Sequence, residues 1–427
     1  MEDATNNPPT PSATAADPSP YQASSLETSH GRRYGFLVVF LLTAAVMLVL
    51  GFGVNVIGNS TELFPSKVRP SMGERAWKTR RIEEQVKAKR PAELVVMGSS
   101  RMMQVNTDYL QALTGKRAFN YAVSAAGPVD FLTQLKFLIA NQAAPKTILL
   151  GLDESAFAAV TSQYELQTVA HWGLFKQAPF PENIGLLARA LGNVTPETTW
   201  LSIQNAWEGR IPRNRKLRRV DNVLLENGYN IYVARAQLED EGRPADGASA
   251  EDVLRWERER RRTRDLDRHR AIDAWRKRMG SGEASSGRRA LEPQARMLEL
   301  LDEFLTTAKS NQIEVRVLLL PLHPEFEKAC LAPDMLEDRE ALHARLSATC
   351  AAHGVPYKDF RHMQSYGGDL NEWWDGSHQT PENLRRLTNA AFDRDPGEVV
   401  ATVKTDGFIL RHLGRGKQAL ITSLNKY

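Results

Sequence analysis

Glu93-Leu94-Val95-Val96-Met97-Gly98-Ser99-Ser100-Arg101 is the stretch whose reading decides the fold. Glu93 to Met97, an apolar run that stops at a glycine, reads as a short buried strand. Gly98 ends that strand and leaves two hydroxyls where the chain turns into the next element. Arg101 to Thr114 is expected as the following helix, closed by Gly115.

The same alternation repeats outward from this point. Ala118 to Val123 reads as a second strand, and Pro128 opens a helix with Phe131, Leu135 and Leu138 at helical spacing. Thr147 to Leu152 is a third strand. Far downstream, Pro293 starts a helix with an apolar face of Met297, Leu300, Leu301, Phe304, Leu305 and Ala308, leading into a strand at Val315 to Leu320 that Pro321 stops. A helix near Asp334 to Ala352 ends before Gly354, a short strand follows at Val355 to Phe360, and Pro381 to Phe392 forms a last helix. Strands alternating with helices predict an α/β fold with a parallel sheet covered on both faces. Such sheets bind ligands beyond the carboxyl ends of their strands. Ser100, the loop after Val123, Asp153 and Pro321-Leu322-His323 all lie there.

Around this core the composition sets the domain plan. Residues 1–33 are a Pro-, Ser-, Thr- and Ala-rich tail expected to be disordered, because they bury too little to offset chain entropy. Residues 34–58 carry no charge and hold an apolar run long enough to span a bilayer. That run begins too late and is too long for a cleaved leader. Arg32 and Arg33 precede it while Lys67, Arg69 and Arg75 follow, so the flanking charges do not set its orientation. Residues 59–90 read as a stalk, 91–395 as the α/β domain and 396–427 as a C-terminal tail. Within the domain, 158–289 interrupts the alternation as a helical insertion, read as a cap over the sheet's active edge. It contains Trp172, Trp200, Trp207, the turn Asn227-Gly228-Tyr229 and a loop from Gly280 to Gly287. Its Glu251 to Arg278 run mixes both charge signs, the pattern of a solvated helix with local ion pairs; an anionic glycan or lipid headgroup is the alternative ligand for it.

The chain has 55 Lys and Arg against 51 Asp and Glu, a net charge of +4 in 427 residues, which argues against nucleic-acid binding. Of the two cysteines, Cys350 would lie roughly 24 Å up a helix starting at residue 334. The four residues back to Cys330 reach at most ~14 Å. Two free thiols follow.

Two strings carry the chemistry. Gly98-Ser99-Ser100 exposes a hydroxyl at a strand end, where a serine is either a nucleophile or a helix cap. Asp375-Gly376-Ser377-His378 spaces a carboxylate and an imidazole so that the acid reaches Nδ1 and leaves Nε2 free. Taken singly, the second is also a polar loop before the helix at Pro381.

A serine directly after the first strand, with Asp-x-x-His near the end of a parallel α/β sheet, resembles the SGNH (GDSL-like) hydrolase superfamily. Its Gly-Asp-Ser block corresponds to Gly98-Ser99-Ser100, a form similar to that of membrane-anchored members such as the D-alanyl transfer protein of teichoic acid modification; the general layout is similar to alginate O-acetylation proteins. The last block matches at Asp375 and His378. The resemblance implies a three-layer, flavodoxin-like parallel sheet of SGNH-hydrolase type, with the helical insertion and one N-terminal transmembrane helix. It implies Ser100 as nucleophile, His378 as proton shuttle and Asp375 as its orienting carboxylate.

The middle blocks depart from the pattern. The second appears as Asn120-Tyr121-Ala122-Val123-Ser124-Ala125 followed by Ala126-Gly127, leaving backbone N–H groups at Ala125 and Gly127 as oxyanion candidates. In the third, Asp153 stands where the family has an asparagine, and an ionised carboxylate cannot donate a hydrogen bond. Arg101 either holds an anionic substrate or pairs with Asp153. Trp373 and Trp374 either stack on a sugar or pack the sheet edge, and His323 sits on the ligand-binding edge without partners at metal-ligand spacing. No metal and no cofactor are expected.

Together these readings imply a membrane-tethered serine esterase or O-acyltransferase. Its partners would be an acylated polysaccharide or other envelope glycan, the lipid bilayer through Tyr34 to Gly58, and a membrane acyl-transfer protein. The resemblance places the body outside the cytoplasm, in the periplasm, behind a short cytoplasmic tail. The other readings are a catalytically inert member of the fold that binds a polymer or membrane partner, and a lipid esterase or thioesterase.

Overall fold

The computed structural model describes residues 21–58, 74–158, 195–196, 199–200, 202–203, 222–224, 230–232, 249–280, 295–330 and 336–400. The first part of the N-terminal tail, Trp172, Trp207, the Asn227 turn, the loop after Gly280, the side chain of Cys330 and the chain beyond 400 lie outside the described residues.

In chain order the elements are α1 (Tyr21–Gly58), α2 (Glu74–Lys87), β1 (Leu94–Met97), α3 (Thr107–Thr114), β2 (Ala118–Asn120), α4 (Pro128–Ala140), β3 (Thr147–Leu152) and α5 (Ser155–Ala158). There follow β4 (Asn222–Leu224), β5 (Asn230–Tyr232), α6 (Ala250–Gly280), α7 (Ala295–Ser310), β6 (Glu314–Leu319), α8 (Pro324–Cys330), α9 (Leu336–Ala352), β7 (Tyr357–Asp359) and α10 (Pro381–Ala391). Five strands form one sheet in the order β2-β1-β3-β6-β7, every pair parallel. The order reverses between β1 and β3, and a crevice opens at such a switch point beyond the strand ends. A separate antiparallel pair, β4 with β5, belongs to the insertion.

Side chains alternate between two cores, as a sheet covered on both faces requires. Val95, Met97, Ile148, Leu150, Val315 and Val317 face one core, shared with α4, α7 and α9. Leu94, Val96, Leu149 and Leu318 face the other, with Leu110 of α3 and Leu384 and Leu387 of α10. All six expected apolar positions of α7 are buried.

The largest departure from the sequence expectation follows β1. Instead of a helix from Arg101, residues Ser99 to Val105 form successive turns, with Met102 N–H on Ser99 O at 3.0 Å and Met103 N–H on Ser100 O at 3.3 Å. The helix begins only at Thr107, because Asn106 caps it, accepting from Asp108 and Tyr109 N–H. Ser100 therefore does not sit on a helix N-terminus. The short α8 was not expected either.

α1 begins at Tyr21, since no helix breaker intervenes between Pro20 and Gly31, so the end of the tail expected to be disordered is helical. Its Gly35–Asn55 part spans 21 residues with lipid-compatible exposed side chains, long and apolar enough to cross a membrane. At its far end Asn55 is buried, donating to Thr199 Oγ1 at 2.7 Å and accepting from Ser202 Oγ at 3.0 Å. α2, in the stretch read as a stalk, docks on the sheet domain with Ile82 in the core. α6 is mostly exposed, as its charge predicts, yet Arg264, Arg268 and Ile272 are buried at a four-residue spacing. Cys350 is buried and free, its thiol pushed up to about 12 by burial.

Candidate active site

The loops beyond the strand ends bring together segments more than 270 residues apart in sequence: Ser100 Oγ lies 2.9 Å from His378 Nε2. On the other side of the ring, His378 Nδ1 is 2.9 Å from Asp375 Oδ2 and 3.0 Å from Oδ1. An ionised carboxylate only accepts, so Nδ1 carries the proton, Nε2 is the acceptor, and Ser100 donates to it. Serine, imidazole and carboxylate thus form one relay.

The loop bearing the acid and the imidazole is fixed at several levels. Asp375 Oδ1 also accepts the backbone N–H of Ser377 and of His378, each at 2.8 Å, an Asx-type turn that sets the ring's direction. Trp374 N–H donates to His378 O at 2.9 Å, and Trp373 bridges Gln379. Trp373 is fully buried edge-on to His323, while Trp374 Nε1 donates to Gln104. Trp373 packs into the core at the sheet edge, while Trp374 is half-buried beside Gln104. Gly376 leaves room for Phe326 of α8, since a Cβ there would come within 2.1 Å of that ring.

The serine's side is organised by Gly98 and Asn120. Gly98 has φ +148°, a conformation side chains rarely adopt, and a Cβ would lie 2.6 Å from Met102 Cγ and 3.0 Å from Gly151 O. Asn120, fully buried, donates its amide to the carbonyls of Met102, Met103 and Val105. It is the residue that holds the turn after Ser100 where a helix had been expected. Ser99 is buried and its Oγ accepts Arg101 N–H at 3.2 Å within the turn.

Arg101 is an internal tie. Its guanidinium donates to Asp153 Oδ1 at 2.7 Å, to Ser377 O at 3.0 Å, and to Pro321 O. It joins the ends of β1, β3 and β6 to the His378 loop. Of the two sequence alternatives for Arg101, the ion pair with Asp153 is the one formed. Asp153 therefore faces a cation that balances its charge. The next residue, Glu154, is buried against Arg339 and His343. Burial alone would raise its carboxyl, but the His343 and Arg339 interactions outweigh that and hold it below the usual range.

The two backbone candidates differ. Gly127 N–H is taken by Asp130 Oδ2 at 3.2 Å, part of the α4 start. Ala125 is exposed at φ 51°, and no described residue accepts its N–H. His323 is buried, its N–H on Gly376 O at 3.0 Å; burial, with Arg268 nearby, pushes the imidazole down to about 4. α6 reaches the same loop: Arg264 forks onto Glu372, and Arg268 donates to Leu370 O. Charge alternation in the sequence gave no sign of which arginines dock.

No family model and no curated protein matches the sequence. Among solved structures, a candidate acylhydrolase from Bacteroides fragilis NCTC 9343 aligns with a TM-score of 0.32 and 14% identity, over 74% of this chain and 93% of that one.

Proposed function

We propose that this chain is a membrane-tethered serine esterase or O-acyltransferase of the SGNH type, acting on acyl esters of a cell-envelope or extracellular polysaccharide. The observation that carries the reading is the Ser100–His378–Asp375 relay at the carboxyl edge of a parallel sheet. Ser100 Oγ attacks the ester carbonyl carbon while its proton passes to His378 Nε2. Asp375 holds the ring and balances the imidazolium. The tetrahedral intermediate then collapses, the alcohol leaves with the proton from His378, and an acyl-serine remains. Water or a sugar hydroxyl, deprotonated by the same imidazole, attacks that ester and frees Ser100.

With Asp153 paired and Gly127 N–H occupied, the exposed Ala125 N–H is the donor assigned to the oxyanion. Substrate class rests on the tether. α1 keeps the site close to a bilayer, which suits a polymer modified at the envelope surface and a membrane protein as acyl source, with the body outside the cytoplasm.

One observation favours an inert, polymer-binding member of the fold: Asp153 replaces a neutral donor with a carboxylate. The full chain, purified in detergent, decides between them by labelling with a serine-directed fluorophosphonate and by hydrolysis of an acetyl ester and of acetylated polysaccharide. Labelling and acetate release that both vanish in Ser100→Ala support the enzyme. Persistence of both, or absence of both in the parent, overturns it.

A further inference from the structure

We propose that α2, the helix that follows the membrane segment, is a positioning element of the site: Glu74, Arg75 and Lys78 hold the loop 122–127 and so aim the Ala125 N–H at the oxyanion. The inference rests on the serine-nucleophile reading above and adds to it a role for the juxtamembrane chain.

Three side chains from the first two turns of α2 converge on that loop. Glu74 Oε1 accepts Ser124 N–H at 2.6 Å and Arg75 donates to Ser124 O at 2.7 Å. Lys78 Nζ, fully buried, donates to Ala122 O. Arg75 also reaches Asp130, the carboxylate that holds Gly127 N–H. Ile82 in the core and Thr79 against the Tyr121 hydroxyl seat the helix at 3.1 Å from that ring's oxygen.

Peptide planarity turns these contacts into directions. In a trans peptide the C=O and the following N–H point opposite ways. Lys78 fixes Ala122 O on the α2 side, and Val123 N–H duly points across the loop to Gly98 O at 3.0 Å, two residues before Ser100. By the same rule, Arg75 on Ser124 O turns the Ala125 N–H away from α2. Ala125 occupies the left-handed region, which strains a non-glycine residue and persists only when its surroundings over-determine it. An apolar side chain at position 78 would dock the helix without burying an ammonium. The burial pushes the Lys78 ammonium down to about 8, against the pull of Glu74.

The test uses the full chain in detergent, with fluorophosphonate titration of Ser100 counting competent sites. Arg75→Met and Lys78→Met are expected to lower kcat per titrated site by about tenfold or more, with KM within about twofold, since a misaimed donor forfeits part of the hundredfold or more that one oxyanion donor supplies. Arg75→Lys restores only part, because an ammonium lacks the fork that spans Ser124 O and Asp130. Arg81→Gln, on the exposed side of α2, leaves kcat unchanged. If Arg75→Met fails to fold, the milder Glu74→Gln gives the same readout. Unchanged kcat per titrated site, with only the titratable fraction or the melting temperature reduced, overturns the proposal and leaves α2 a brace. A parent chain that neither titrates nor hydrolyses overturns it together with the serine-nucleophile reading, and the two failures are thereby told apart.

Discussion

Replacing Arg101 with methionine keeps the length and apolar stem of the side chain while removing its guanidinium. Three contacts go at once: the 2.7 Å pair with Asp153, the 3.0 Å bond to Ser377 O and the bond to Pro321 O. Both partners of the pair are close to buried, at 10% and 12% exposure. Orphaning a buried charge costs about 3–5 kcal/mol, far above the 0–1 kcal/mol of an exposed pair. Arg101→Met is therefore expected to destabilise the chain by about 3–5 kcal/mol in urea unfolding followed by tryptophan fluorescence. Adding Asp153→Asn removes the stranded charge and returns about 1–3 kcal/mol. Fluorophosphonate labelling of Ser100 slows by about tenfold or more in both variants, because the His378 loop has lost its tie to the strand ends. A loss below 1 kcal/mol, or a double variant no more stable than the single one, would refute a buried internal tie and return Arg101 to substrate binding.

The two other expectations concern the loop around Gly376. Gly376→Ala removes no chemical group but drives a Cβ into Phe326; Ser100 labelling falls about tenfold, and adding Phe326→Ala recovers most of it, whereas no recovery would mean the ring is not the obstacle. Burial pushes the His323 imidazole down to about 4 in the folded chain while the unfolded chain protonates at about 6.5, so the unfolded state binds more protons between these values and stability falls as the pH drops through them. Between pH 7 and pH 5 this amounts to about 2 kcal/mol, in a window where carboxylates contribute little. Urea unfolding of His323→Phe should lack that slope, and an undiminished slope assigns it elsewhere.

The strands and their helices were legible because their signals are local. β1, β3 and α7 carry unbroken or strictly periodic apolar residues, and these set the sheet. The Asp375–His378 pair was legible for the same reason, being one turn of chain. What stayed hidden depends on which polar groups become buried. The helix expected at Arg101 loses to Asn120, whose amide takes three carbonyls of that segment, and to Asn106, which offers a cap five residues later. The charged stretch at Glu74 reads as a stalk because a sequence does not distinguish Lys78, fully buried, from Lys87 on the same helix. Arg264 and Arg268 hide among the other arginines of α6 in the same way.

These buried cations share a geometry that stability alone does not explain. Arg101 clamps the loop after β3 and the His378 loop; Arg75 clamps the loop after β2; Arg264 clamps Glu372, which also accepts Thr380 Oγ1 and Thr380 N–H, closing the segment 372–380 at its base. Apolar residues of similar volume would stabilise as much or more. A guanidinium adds direction: its fork fixes two or three acceptors in one plane. The loops it fixes are those past the strand ends, where no ladder of hydrogen bonds continues to hold the backbone. A relay that needs Ser100, His378 and Asp375 aligned within a few tenths of an ångström requires such direction where the sheet stops supplying it. The insertion and α2 thus belong to the site, one through Arg264 and the other through Arg75, and removing either should loosen the relay before it unfolds the sheet.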